Sequence, residues 1–148
     1  MVDGFVAALK LKEENQEHFD LLSRYMASFI FTGNSGKHLK SQYPIIELSS
    51  DNQLQHIRTN YFCLTPLSDV PFDKIESYYA AHRHFSTIID YPSMALTFTL
   101  EPGEGYIIDN TRVLHARKSF SGTGHRWLQS CFSEKDGLLG TLESLNSE

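Results

Sequence analysis

Thiols are scarce: two cysteines in 148 residues, Cys63 and Cys131, with no CxxC spacing, exclude a disulfide framework and a thiolate metal site, and fit a reducing compartment. Basic charge is also in short supply. Thirteen Lys+Arg against 18 Asp+Glu leave a net charge of −5, so the chain lacks the clustered cations that phosphate neutralisation demands. The nearest thing to a basic cluster, Arg112, Arg117 and Lys118, reads as a solvated loop. No apolar run reaches the roughly 18–20 residues of a membrane span, and the N-terminus lacks the charged-then-apolar order of a secretory signal. The expectation is a cytoplasmic protein with neither a nucleic-acid nor a membrane partner. Only five prolines and nine glycines interrupt a composition that is 41% apolar and 12% aromatic. That is a globular chain, expected to form one domain over residues 1–148.

Hydrophobic spacing sets out the elements. Val2, Phe5, Val6 and Leu9 after Asp3, and Phe19, Leu22 and Met26 after Asn15, predict two short helices. Ser28 to Thr32 predicts a strand entering a Gly33–Gly36 loop, and Tyr43–Leu48 with Leu54–Thr59, split by Ser49, Ser50, Asp51 and Asn52, predicts a hairpin. Ile75, Tyr78, Tyr79, His82, Phe85, Ile88 and Ile89 recur at three- and four-residue intervals and predict the longest helix. Alternation through Leu96, Phe98 and Leu100, the turn Glu101–Gly105 and the run Tyr106–Ile108 predict two more strands. Val113–Arg117 and His125–Phe132 complete the strands, and a helix follows from Lys135 to Leu145. The fold class expected is mainly β with flanking helices (α+β). About six short strands fall below the eight of a complete double-sheet jelly roll, and their open edges need cover.

Seven histidines raise the question of a metal. His82 and His84 lie two apart on a helix, where side chains diverge, so they cannot share an ion; His82 is expected at the edge of the core. His38 and His56 have no carboxylate or histidine at ligand spacing and are read as surface residues. His18-Phe19-Asp20 has the His-x-carboxylate spacing of a facial iron triad, but on an amphipathic helix with Phe19 inward, His18 and Asp20 are expected to diverge towards solvent. The segment after Glu101 is richer. The stretch Asp109–Arg117, which holds His115, follows the strand Tyr106–Ile108, and Arg126 comes eleven residues after His115 on a strand whose Arg126, Leu128, Ser130 and Phe132 share a face. An imidazole at a strand end can ligate Fe(II), and a neighbouring guanidinium can fork onto a dicarboxylate. Spacing alone leaves the plainer alternative open, in which His115 caps a turn and Arg126 pairs with an acid such as Glu104.

Three stretches carry a resemblance: Glu101-Pro102-Gly103-Glu104, Asp109-Asn110-Thr111-Arg112-Val113-Leu114-His115-Ala116-Arg117, and Arg126-Trp127-Leu128-Gln129 with Lys135-Asp136-Gly137-Leu138-Leu139. Together they resemble the C-terminal part of the TauD/TfdA superfamily of Fe(II)/2-oxoglutarate dioxygenases, nearest to its γ-butyrobetaine dioxygenases. The likeness extends back through Pro71-Phe72-Asp73 and Tyr78-Tyr79-Ala80-Ala81 to Val2-Asp3-Gly4-Phe5.

This resemblance implies the C-terminal portion of a double-stranded β-helix (jelly roll), Fe(II) as cofactor, 2-oxoglutarate as cosubstrate, and hydroxylation of γ-butyrobetaine or a similar trimethylammonium acid in carnitine biosynthesis. It implies His115 as an iron ligand, Arg126 as the anchor of the far carboxylate of 2-oxoglutarate, and Asn60 beside the substrate carboxylate. Phe132 stands where the family has a tyrosine of the aromatic cage that holds the quaternary ammonium. Phenylalanine keeps the π face and loses the hydroxyl. The family's His-x-Asp ligand pair falls upstream of the stretch matching Val2-Asp3-Gly4-Phe5, so residues 1–148 are expected to supply one iron ligand of three. Turnover is then expected to need a complementing N-terminal chain, with a homodimer as the other partner arrangement. The rival expectation is a non-catalytic fragment or interaction module that pairs with another chain.

Overall fold

The computed structural model describes residues 1–32, 36, 38–60, 62–117 and 127–147. They fall into two compact units, Met1–Arg117 and Lys118–Glu148. In order, the first holds β1 (Val2–Asp3), α1 (Gly4–Glu14), α2 (Gln16–Arg24), β2 (Ala27–Thr32), β3 (His38–Tyr43), β4 (Ile46–Leu48), β5 (Leu54–Ile57), α3 (Ile75–Ile89) and β6 (Val113–Leu114). The second holds α4 (Lys135–Asn146), which exposes Leu138, Leu139, Leu142 and Leu145. Among the described residues the strands make three two-stranded antiparallel sheets, β1 with β6, β2 with β3 and β4 with β5. The architecture is α+β.

Capping residues set the helix ends. Asp3 Oδ1 accepts from the Phe5 and Val6 N–H groups at 3.0 and 3.3 Å, two of the donors that the start of α1 leaves without helical partners. Asn15 serves two helices. Its N–H donates to the Leu11 carbonyl at 2.8 Å, closing α1, while its Oδ1 accepts from the His18 N–H at 3.0 Å, opening α2. The α1, α2 and α3 helices pack on one another, and the β4–β5 hairpin joins them. Their shared core holds Ala7, Ala8, Leu11, Phe19, Leu22, Ile45, Ile46, Ile57, Tyr78, Ala81, Phe85 and Ile88.

Several expectations need correction. On α1 the buried residues are Gly4, Ala7, Ala8 and Leu11, whereas Val6 and Leu9 are exposed. Small residues let helix backbones approach closely, so the face with less apolar bulk is the one that turns inward. Val2 lies before the helix and pairs with Leu114. Met26 follows the end of α2 and is exposed. On α3 Ala81 is buried, whereas Tyr79 is exposed.

Strand β3 was not expected, because His38-Leu39-Lys40-Ser41-Gln42-Tyr43 has no apolar alternation; all six residues are exposed. Its ladder with β2 is continuous from Ala27 opposite Tyr43 to Thr32 opposite His38. Tyr43 therefore ends β3 rather than opening the next strand, and Pro44, which has no N–H to donate, separates the two. The hairpin itself holds, with Asn52 in its loop at φ 60°, a left-handed conformation that asparagine tolerates.

Residues 96–100 and 106–108 are not strands; Leu96 donates one backbone bond to Met1, and Phe98 meets Tyr106 edge to face. A strand exists only where a partner completes its ladder, and among the described residues the pairing stops at the contacts of Ala95 and Leu96 with Val2 and Met1. Residues 127–132 are likewise irregular, while His125 and Arg126 lie outside the described residues, as does most of the Gly33–Gly36 loop.

Gly4 is where α1 meets the turn before β6. Its N–H donates to the Arg112 carbonyl at 2.9 Å, and a Cβ built there would stand 2.6 Å from that same oxygen. Gly4→Ala should therefore cost about 1–3 kcal/mol despite the better helix propensity of alanine. Urea unfolding checks this; an unchanged midpoint would show that the two backbones are not pressed together.

Candidate functional site

The Asp109–His115 segment is built by local hydrogen bonds and then fastened to α1. Asp109 Oδ1 accepts from the Thr111 N–H at 3.0 Å and its hydroxyl at 2.6 Å, while the Asp109 carbonyl accepts from the Arg112 and Val113 N–H groups. Arg112 then forks onto Asp3, with Nε at 3.1 and 3.0 Å from the two carboxylate oxygens and Nη2 at 2.5 Å from Oδ2. The guanidinium holds the Asp3 carboxyl below its ordinary value, and it lies 5.2 Å from the centre of the Phe5 ring. Arg112, expected in a solvated loop, is thus a structural clamp. Its turn leads directly into β6, and His115 follows, exposed, at the strand's end.

Asn60 lies three residues beyond a backbone contact with the same segment. The Ile57 N–H, at the end of β5, donates to the Thr111 carbonyl at 2.9 Å, so the segments leading to Asn60 and to His115 run side by side at that point. Asn60 is exposed, and its Oδ1 accepts from the Phe62 N–H at 3.1 Å. Occupying the oxygen in this turn leaves the amide NH2 as the group that can donate to a carboxylate.

Of the other candidates, Phe132 belongs to the second unit and is exposed, and Arg126 lies outside the described residues. Among the described residues no three His, Cys, Asp or Glu side chains gather as a metal centre requires. His115 alone does not fit an iron site. An open groove of about 490 Å³, lined by Ser28, Lys40, Gln42, Thr65 and Ser68 among others, includes none of the four candidates.

Two histidines behave differently from their sequence reading. His56, read as a surface residue, lies opposite Glu47 across the β4–β5 ladder, and its Nδ1 is 2.9 Å from the Glu47 carboxylate. Arg58 donates to the same carboxylate, holding it below the ordinary glutamate value, and stacks 4.2 Å above the Tyr43 ring. The signal was present in the hairpin, since fixing its register sets residues 47 and 56 face to face. His18, expected to point to solvent, turns onto α3 instead. Asp20 is exposed as expected and accepts from Gln16 at 2.7 Å. His82 is buried as expected.

Comparison with known proteins extends these findings. The model of the taurine catabolism dioxygenase TauD, TfdA family matches residues 1–132. The chain is 37% identical to the mitochondrial trimethyllysine dioxygenase of Rattus norvegicus, over 98% of this chain and 35% of that protein. It is 31% identical to the gamma-butyrobetaine dioxygenase of Homo sapiens, over 98% of this chain and 38% of the relative. For the gamma-butyrobetaine dioxygenase of Pseudomonas sp. (strain AK-1) the identity is 32%, over 95% and 37%. The likeness thus reaches two kinds of dioxygenase rather than one, and the chain spans little more than a third of the length of these relatives. With 132 of its 148 residues covered by a single family model, the chain belongs to the taurine catabolism dioxygenase TauD, TfdA family.

Proposed function

We propose that residues 1–148 are the C-terminal portion of one Fe(II)/2-oxoglutarate-dependent dioxygenase domain of jelly-roll type, which hydroxylates γ-butyrobetaine or a similar trimethylammonium acid in carnitine biosynthesis. The observation that carries this reading is the family match across residues 1–132, which includes the turn that ends at His115. In the complete site His115 is one of three protein ligands, and Arg126 forks onto the far carboxylate of 2-oxoglutarate. The free amide of Asn60 donates to the substrate carboxylate, and the Phe132 ring faces the quaternary ammonium by cation–π attraction. In this reaction class O2 is the oxidant; when bound, Fe(II) would activate it, and oxidation of 2-oxoglutarate to succinate and CO2 would supply the other two electrons, so that one oxygen atom enters the substrate C–H bond. The other two ligands come from outside residues 1–148, from an upstream segment or a second chain, and a homodimer is the other arrangement consistent with the role. Two free cysteines fit a reducing compartment such as the cytoplasm, while the rat relative is named as mitochondrial. No helix among the described residues is long and apolar enough to cross a membrane.

Complementation tests the proposal. Residues 1–148, folded and co-expressed with the upstream portion of a relative, should convert a trimethylammonium acid to its hydroxylated product in the presence of Fe(II), O2 and 2-oxoglutarate. Absence of product from every folded complemented pair would leave the interaction-module reading. The isolated chain, titrated anaerobically with Fe(II) and 2-oxoglutarate, should show no saturable visible charge-transfer band. A band that His115→Ala removes would mean that the chain completes its own metal centre.

A further inference from the structure

His18 on α2, His84 on α3 and Glu14 on α1 form a connected row that the proposed dioxygenase site does not use. The two Nδ1 atoms are 3.0 Å apart, His84 Nε2 is 2.9 Å from Glu14 Oε2, and Lys10 Nζ is 2.9 Å from Glu14 Oε1. The row crosses all three helices of the core, at a place where His18 is only partly exposed.

Chemistry fixes where the protons sit. An ionised carboxylate can only accept, so the contact with Glu14 requires a hydrogen on His84 Nε2. Neutral His84 then has a bare Nδ1, and the facing contact requires the hydrogen on His18 Nδ1. The ring centroids are 5.2 Å apart although the nitrogens are 3.0 Å apart, so the two Nδ1 atoms meet head-on along the line of centres. That is the geometry of one shared N–H···N hydrogen. Two lone pairs converging on a metal ion would instead meet at an angle, which argues against a bis-histidine metal site.

We propose that Glu14, His84 and His18 form a proton-operated latch that joins α1, α3 and α2 and opens in acid. A first added proton leaves it closed, because protonation at His18 Nε2 only strengthens the donor that faces His84. A second added proton places hydrogens on both facing nitrogens and a positive charge on each ring, and the latch opens.

The surroundings agree. Burial, and then the charge of His84, hold the His18 imidazole below the ordinary value of 6.5, against a smaller upward pull from Glu17 on α2. Lys10 on α1 and His84 on α3 together hold the Glu14 carboxyl down, keeping it an acceptor. Strand β4, which also packs on α2, carries one charged residue, Glu47, which His56 and Arg58 engage. As pH falls below 6.5 the unfolded chain takes up a proton that folded His18 resists, so the contribution of His18 to stability is full above this value and declines below it. His82, buried and also held below its ordinary value, changes stability in the same direction and must be separated.

NMR of the full chain, with 15N-labelled histidine, tests the latch directly. At pH 7.5 His18 should carry its hydrogen on Nδ1 and show a through-hydrogen-bond coupling to His84 Nδ1, and the pair should titrate in two steps more than about one pH unit apart. Thermal unfolding gives a second readout. Asparagine keeps an amide that can either donate to or accept from His84, and it does not titrate. His18→Asn should therefore match the parent at pH 7.5 and lose about 3 °C less of its Tm on moving to pH 5, with His82 unchanged in both. Independent single-step titrations with no coupling, equal Tm losses, or stoichiometric Zn(II) uptake by the pair at pH 7.5 would each overturn the latch.

Discussion

Phe85→Ala should cost the first unit about 3–5 kcal/mol, a large share of the roughly 5–15 kcal/mol that holds a typical domain folded. Phe85 is 1% exposed in the middle of α3, the helix that packs on both α1 and α2. Truncation removes the transfer free energy of the ring and leaves a cavity that three mutually braced helices cannot easily close. Thermal unfolding should show a fall in Tm of about 6–20 °C for this chain length. Phe72→Ala is the control. That ring is 93% exposed in the turn before α3, and its removal should change stability by no more than about 0.5 kcal/mol. A loss below about 1 kcal/mol at Phe85 would mean that the helices do not share a close-packed core.

The contrast between two phenylalanines in one region shows what sequence patterning can deliver. Phe85 falls on a stripe repeated through Tyr78, His82 and Ile88, and periodicity identifies both the helix and its buried side. The caps at Asp3 and Asn15 were legible for the same reason, since their chemistry acts within three residues. On α1 the same reasoning selected Val6 and Leu9, which face outward. Apolar spacing locates the greasier face, whereas a close crossing uses Ala7 and Ala8, and only the packing partner decides between them. Strands are harder still. His38–Tyr43 forms a ladder because β2 offers one, despite a polar sequence, while Leu96–Leu100 alternates well and forms none.

The site divides along the same line. Asp109, Thr111 and Arg112 build a turn whose internal bonds follow from neighbouring residues, so the segment that presents His115 was readable. The Arg112 to Asp3 fork spans 109 positions and could not be found from spacing. His18 illustrates the cost of reading one helix at a time. Its divergence from Phe19 is correct on α2 alone, but the solvent it was expected to meet is occupied by α3 and His84. Identification of His115, Arg126, Asn60 and Phe132 rests on motif resemblance rather than on spacing.

In a complemented enzyme, His115→Ala and Arg126→Ala should fail in different ways. His115 supplies one of three protein ligands in the proposed site, and its removal should lower turnover by at least about 1,000-fold, well beyond the 10–100-fold typical of losing a group that merely supports a ligand. Added Fe(II) should not rescue it. Arg126→Ala removes a bidentate contact to one reactant only, a charge-assisted pair worth about 1.5–3 kcal/mol. The KM for 2-oxoglutarate should rise by about 10–100-fold while the KM for the trimethylammonium acid stays within about twofold. Steady-state kinetics with each substrate varied in turn separates the two roles. Equal increases in both KM values would remove Arg126 from the 2-oxoglutarate site, and undiminished turnover in His115→Ala would remove His115 from the metal. Because Arg112 and Asp3 fasten the turn that presents His115, a folded His115→Ala variant should retain the stability of the parent. Thermal unfolding of the same samples then distinguishes a lost ligand from a lost fold.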